Sequence, residues 1–485
     1  MTEASSLRIR KSWDAFSKQE QATYIKAVQL AMTSGKHLQF TRLTMDKKSL
    51  QSVRGTAGEP AWHRKWLLGY ENMLRSLGDE YADVTLPLWN FFENSAMRLS
   101  SRTSCLSIED CSSFLTAMGG SEGEYLGHPY YVNGEFATGN CVNRSVAAAA
   151  CTDLEKNCEY CIPRGDWDIQ ESTYEFGPSA FVEVLRHAAN SDAPMETMRL
   201  SMATRFHYNL HNLLGGVYET KAAAFDPIYI GHYAMSDAMY NIHQRCHRES
   251  GAFVASPFKT ADGETLSADS TIPMELDGKC VAEHPGLAPY FKDIAQTFAH
   301  TDDIRNITNG STGYEYELDD FLKTLMREFN VGCSARSGPE ALLFAQEREL
   351  TPDRNASRGF VHAMATCSNS TLEGNDDETP YTAAVCEFMS KQQNGVFTNF
   401  SSTLRHTWNA PPTLLPTCVN ILESIANGSV TLHVSDECRE AMYTETSIDI
   451  NEFYTRSTGL TIVSRGLDGV VTRYPGSDSD SSGSQ

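Results

Sequence analysis

The chain has 485 residues, which at roughly 150 residues per domain is room for two or three domains, or one large domain with an appendage. Hydrophobic residues make up 41% and charged residues 21%, enough apolar material for a substantial core and too much for wholesale disorder. Forty basic against 62 acidic side chains give a net charge of −22, a field that repels nucleic acid and anionic membrane surfaces. No stretch approaches the ~20 apolar residues of a membrane span, and the opening residues lack an apolar leader. Seven Asn-x-Ser/Thr sequons, at Asn143, Asn306, Asn309, Asn355, Asn369, Asn399 and Asn427, accompany 13 cysteines. Together they point to an oxidising compartment, and the expectation is a mature secreted glycoprotein whose leader has been removed.

Ser17-Lys-Gln-Glu20 reads as a capping box, followed by Ile25, Val28 and Met32 at helical spacing, which predicts a helix over about 18–32. Trp62, His63, Trp66, Leu67, Tyr70 and Leu74 form the next stripe, and His63 lies in phase with it, facing inward. Six cysteines from Cys105 to Cys161, with few helical signals between them, mark a loop-rich insertion at about 100–165 stapled by disulfides. Cys158-Glu-Tyr-Cys161 has the spacing of half a zinc site, but no second pair follows, so disulfides are preferred. The odd cysteine count leaves one thiol over.

Helical periodicity returns over 198–214 and over 232–247, the latter with Met235, Met239, Ile242 and Cys246. Further on, Leu318, Phe321, Leu322, Leu325, Met326 and Phe329 predict an amphipathic helix stopped by Gly332. The second half holds six of the seven sequons and no catalytic motif, and the acidic Ser/Gly tail reads as disordered. The division expected is 1–255, 256–470 and a tail at 471–485.

The sharpest local pattern is His207-Tyr-Asn-Leu-His211 followed by Gly215-Gly216, because a four-residue separation on a helix stacks two imidazoles on one face, as a metal pair requires. Alone it is weak. It stands, however, third in an ordered series: Pro60-Ala-Trp-His-Arg-Lys-Trp-Leu-Leu-Gly-Tyr-Glu-Asn-Met-Leu74, then Leu86-Pro-Leu-Trp-Asn-Phe91, then the His207 segment, then Phe225-Asp-Pro-Ile-Tyr-Ile-Gly-His-Tyr-Ala-Met-Ser-Asp237. Over about 10–250 this series resembles the type 3 copper proteins: tyrosinases, catechol oxidases and hemocyanins. The resemblance implies a mainly α fold with a four-helix bundle core, here with a disulfide-rich insertion and a helical C-terminal extension. It also implies six histidines that hold two coppers, three per ion, which together bind dioxygen, and an enzyme activity that oxidises phenols and catechols to quinones.

Transferred residue by residue, the resemblance makes His63 a ligand of the first copper and His207 and His211 ligands of the second. The position nine residues before His63, a ligand in the family, is Arg54 here, and the third ligand position of the second copper is Tyr233, with His232 just before it. His37 is the one upstream candidate for the remaining ligand. Tyr208 stands where many family members have Asn, and Ala238 where they have Arg. A guanidinium has no lone pair for copper, so dinuclear chemistry is expected to be impaired. His232 lies in phase with Met235, Met239 and Ile242, and a small rotation of its helix would restore three ligands, His207, His211 and His232, around one metal; Tyr233 as a phenolate is the other route.

Three states of the site therefore stay open: two coppers, one copper or zinc, or no metal, with inherited histidines filling the core. The functional expectation is a secreted tyrosinase-like protein with lost or altered copper chemistry, acting as a binding or structural glycoprotein with a cell-surface or cell-wall partner. The alternatives are a copper-dependent oxidoreductase on a small phenolic substrate, and a pocket reused with Arg54 as an anion or carboxylate clamp. In a site without dinuclear copper, Arg54 is expected to be compensated by an acidic group, with Glu59 and Glu71 nearest in sequence, or by Tyr hydroxyls.

Overall fold

The computed structural model describes residues 7–475, apart from 126, 129, 153–159, 168–176, 193, 248–256, 309–312, 334–340, 347–350, 393, 450–460 and 466–470. Sequon Asn309, Cys158 and the tail from 476 lie outside the described residues.

The fold is mainly helical. Helix α1, Lys18–Thr33, begins at the Ser17/Glu20 capping box, in which the Ser17 side chain takes the Glu20 N–H and the Glu20 carboxylate takes the Ser17 N–H. Helices α2, Lys36–Met45, and α3, Leu50–Val53, lead into α4, Glu59–Arg75, which carries Pro60 in its first turn, where its missing N–H costs nothing. Trp62, Trp66 and Tyr70 of α4 are fully buried, as their spacing predicts. Gly69 interrupts this face because Phe291 lies against it: a Cβ there would sit 2.3 Å from the ring.

Buried ion pairs lock α4 to the rest of the molecule. Arg64 donates through Nε to Asp237 Oδ1 at 2.7 Å, tying α4 to the helix Ile228–His247, and Asp237 Oδ2 accepts from the hydroxyls of Tyr314 and Tyr316, each at 2.6 Å. Glu71 accepts from Arg10 twice and from Arg8 once, all at 3.1 Å, and from the Leu86 N–H at 3.0 Å. Burial alone would raise the Glu71 pKa, but Arg10 and Arg8 reverse this and hold it at about 2.

The two expected halves are interlocked at several points. Strand β1, Arg8–Lys11, pairs in parallel with Tyr314–Leu318, with Arg8 opposite Tyr314. The Cys246–Cys333 disulfide also joins the halves. Within the insertion, Cys105 pairs with Cys111 and Cys141 with Cys161, so four of its cysteines bond to one another and Cys161 is not half of a zinc site. Cys367–Cys438 and Cys386–Cys418 staple the second half, Cys151 is also disulfide-bonded, and Cys280 is a free thiol. Asn143, Asn306, Asn355, Asn369 and Asn427 are exposed, and Asn399 is half-buried.

Two expectations are corrected. The amphipathic helix is Asp320–Glu328: Leu318 belongs to the preceding strand, because Asp319 starts the helix as its N-cap, accepting the Leu322 N–H, and the helix ends before Asn330, whose φ of 49° breaks it ahead of Gly332. The tail expected from 471 begins as strand, since Val471–Pro475 pairs antiparallel with Thr461–Arg465.

Candidate metal centre

Three segments bring the histidines together. A single π turn, Ala203–His207, precedes the helix Tyr208–Leu214, so His207 and His211 stand one turn apart with ring centroids separated by 4.4 Å. His232, one turn into the helix Ile228–His247, places its ring 5.1 Å from His207 and 5.5 Å from His211. One ligand atom from each of the three lies within 4.8 Å of the others. The Asp226 turn sets the start of that last helix: Arg164 grips Asp226 through two hydrogen bonds of 2.7 and 2.9 Å, and Asp226 caps the Ile228 N–H at 3.0 Å.

Tyr218 organises two of the three rings. The chain leaves the His211 helix through Gly215-Gly216, and at Gly216, with φ of +58°, any Cβ would lie 2.1 Å from the Pro163 carbonyl oxygen, so only glycine fits. The turn folds Tyr218 back so that its carbonyl oxygen lies 2.6 Å from His211 Nδ1 and its hydroxyl 2.8 Å from His232 Nδ1. A carbonyl accepts only, so His211 Nδ1 carries the proton and its Nε2 holds a lone pair. The Nε2 atoms of His211 and His232 are both buried with no hydrogen-bond partner among the described residues. Burial, joined by neighbouring charges at His207 and His211, holds all three imidazoles below their ordinary range, His232 at about 3, so they are neutral at physiological pH.

A buried polar atom without a partner is costly, and a neutral imidazole with one nitrogen fixed by a hydrogen bond is the usual form of a metal ligand. The donor set therefore fits one ion of a metal that favours imidazole, copper or zinc.

The other predicted positions differ. His63 has both nitrogens engaged, Nδ1 at 3.1 Å from the Glu59 carbonyl oxygen and Nε2 at 2.8 Å from the Tyr229 hydroxyl. Its ring stacks on Tyr233 at 4.0 Å, and Tyr233 stands between it and the three-histidine group, its hydroxyl 3.5 Å from His207 Nε2. Burial pushes the Tyr233 phenol well above its ordinary value, which disfavours a phenolate. His37 lies apart from the group, with Nδ1 at 2.8 Å from the Tyr70 hydroxyl and Nε2 at 2.9 Å from the Phe225 carbonyl oxygen. His63, His207 and His211 do converge across 144 residues of chain: His63 and His207 line one pocket, and His211 packs on His207.

Arg54 also lines this pocket, but its compensation is not the one expected. Glu71 serves Arg8 and Arg10, and Glu59 takes the Gly55 N–H at 2.8 Å. The Arg54 guanidinium instead lies 4.9 Å over the ring of Trp408, a cation–π contact. Trp408 itself is 4.4 Å from the His211 ring and arrives from the second half of the chain, on the helix Ser402–Trp408. That helix docks through Tyr208, Phe400, Leu404 and Trp408, and Asn212 clamps it by bonding the Asn399 carbonyl and the Ser401 N–H. Nothing in the spacing around residue 408 signals this role.

Residues 11–246 match the family model for the common central domain of tyrosinase. A tyrosinase from Streptomyces galbus is 24% identical over 260 residues, which is 50% of this chain and 86% of that protein. Among solved structures, a polyphenol oxidase variant from Thermothelomyces thermophila aligns with a TM-score of 0.34 and 17% identity, over 49% of this chain and 70% of that one. Through residues 11–246, the span in which the ordered motifs and all five candidate histidines lie, the chain belongs to the tyrosinase central-domain family, a family of copper proteins.

Proposed function

We propose that this chain is a secreted glycoprotein with altered copper chemistry, which holds one copper ion on His207, His211 and His232 and binds phenolic compounds in the adjoining pocket. The observation that supports it is the pair of bare, buried Nε2 atoms on His211 and His232, beside His63 and His37 whose nitrogens are all hydrogen-bonded. Bound copper would supply a one-electron couple and a Lewis acid for a phenol oxygen. The chain's own residues do the rest: Tyr218 fixes the ring orientations of His211 and His232, Trp408 packs on His211 and Tyr233 on His232. The disulfides and the exposed sequons fit secretion.

Electron paramagnetic resonance of the copper-loaded protein tests this reading. An isolated Cu(II) signal integrating to one spin per chain is expected, and a silent, coupled pair would defeat it. A second reading, oxidation of phenols or catechols, is favoured by the opening of the pocket beside His207. Catechol turnover at rates typical of enzymes, ~1 per second or faster, would put it first.

A further inference from the structure

We propose that Arg54 makes this pocket a receptor for an aromatic carboxylate, its ring lying among Tyr208, Tyr233 and Trp408 and its carboxylate bound by the guanidinium. The proposal rests on the pocket being the ligand-binding face of the histidine site.

Arg54 Nε and Nη1 are shut off from solvent and have no acceptor among the described residues. Trp408 attracts the charge through its ring face but offers no lone pair in the plane of the fork. Nε and Nη1 lie on different sides of the guanidinium and cannot share one carboxylate, so the fork open to a ligand is Nη1 with Nη2, and a carboxylate is the group whose two oxygens match it. The remaining charged side chains around the pocket are already committed. Arg199 pairs with Glu196 at 2.6 Å, Asp237 with Arg64 at 2.7 Å and with two tyrosine hydroxyls, and Glu59 is turned back on the Gly55 N–H.

The walls and the space select the rest of the ligand. The pocket spans about 630 Å³ with the open solvent at its mouth counted, of which about 70 Å³ admits the centre of a water-sized sphere, so a single substituted ring would lie partly in the mouth. Pro60, Met202 and Ala203 join the three aromatic side chains in a largely apolar lining, which suits a ring and not a strongly hydrated anion such as phosphate. A single unmatched cation calls for a single negative charge. The same guanidinium faces the histidine group, so it opposes a dication there, and a bound carboxylate would relieve that repulsion. By linkage, ligand and copper then strengthen each other by the same factor.

Calorimetric titration of the full chain, without and with copper, tests the assignment, using 4-hydroxybenzoate and its neutral isostere 4-hydroxybenzamide. The acid is expected to bind roughly ten- to a hundredfold more tightly than the amide, and Arg54→Gln should abolish that preference by weakening acid binding far more than amide binding. Arg54→Lys, which keeps the charge without the fork, should retain part of it. Equal binding of acid and amide by the unmodified chain, or a preference that survives Arg54→Gln, would overturn the proposal. Acid preference in a chain that takes up no copper would uphold the carboxylate site and remove the copper reading; copper uptake with no acid preference would do the reverse.

Discussion

His211 and His232 each have one ring nitrogen hydrogen-bonded and the other bare, whereas His63 and His37 have both nitrogens taken. The two sides of the site are built from the same residue type at similar burial, so the difference lies in their neighbours. On the first side Tyr218 supplies a single hydrogen-bond partner to each ring, and Phe91 and Phe206 pack against His232 without polar atoms. On the second, the Tyr229 and Tyr70 hydroxyls and the Glu59 and Phe225 carbonyls satisfy every nitrogen, and Arg54 brings a permanent positive charge. On the proposed reading, a histidine serves as a ligand or as a core residue according to how many of its nitrogens the protein satisfies.

The scaffold under both sides is the most damaging place to intervene. Asp237→Ala strands Arg64 and the Tyr314 and Tyr316 hydroxyls in the core, and a loss of about 3–5 kcal/mol in denaturant-measured stability is expected. Glu71 makes the scaffold acid-sensitive. Its folded pKa, about 2, lies below its ordinary value, so its contribution is complete above pH ~4.5 and is lost as pH falls toward ~2. Midpoints of unfolding measured across that window should fall, by up to about 3 kcal/mol from this residue, and less so in Glu71→Gln.

Substitutions at the histidines separate the two sides. His232→Ala should weaken copper binding on the order of 100-fold or more, since losing a ligand exceeds the 10–100-fold cost of losing its support. His37→Asn should change it less than about threefold, and competition titration with a chelator reads both. Tyr218→Phe keeps the carbonyl that orients His211 and removes the hydroxyl that orients His232, so a smaller loss, roughly tenfold, is expected by the same titration.

Local signals carried much of this into the sequence. The Ser17 capping box gives α1 to within a residue, the inward phase of His63 follows from the Trp62–Trp66–Tyr70 stripe, and the His207–His211 spacing together with the phase of His232 anticipates the three-histidine group. What stayed hidden depends on residues far apart in the chain. Trp408 reaches His211 across nearly 200 positions, β1 pairs with a strand some 300 residues later, and neither contact leaves a periodic trace. The double role of Tyr218 depends on a left-handed turn at Gly216, whose need for glycine comes from the Pro163 carbonyl in the insertion. The partner of Arg54 is not legible in the sequence for a related reason: nearness along the chain favours Glu59 and Glu71, but Glu71 pairs with Arg8 and Arg10, and Glu59 with the Gly55 N–H.

The central claim is that one side of the site binds metal and the other does not. Elemental analysis of the protein after copper loading and exhaustive dialysis addresses it most directly, with Arg54→His/Tyr233→His as the constructive control. One copper per unmodified chain is the result predicted, lost in His232→Ala and kept in His37→Asn, with a second copper gained by the double variant. Two coppers per unmodified chain, or none, would contradict it.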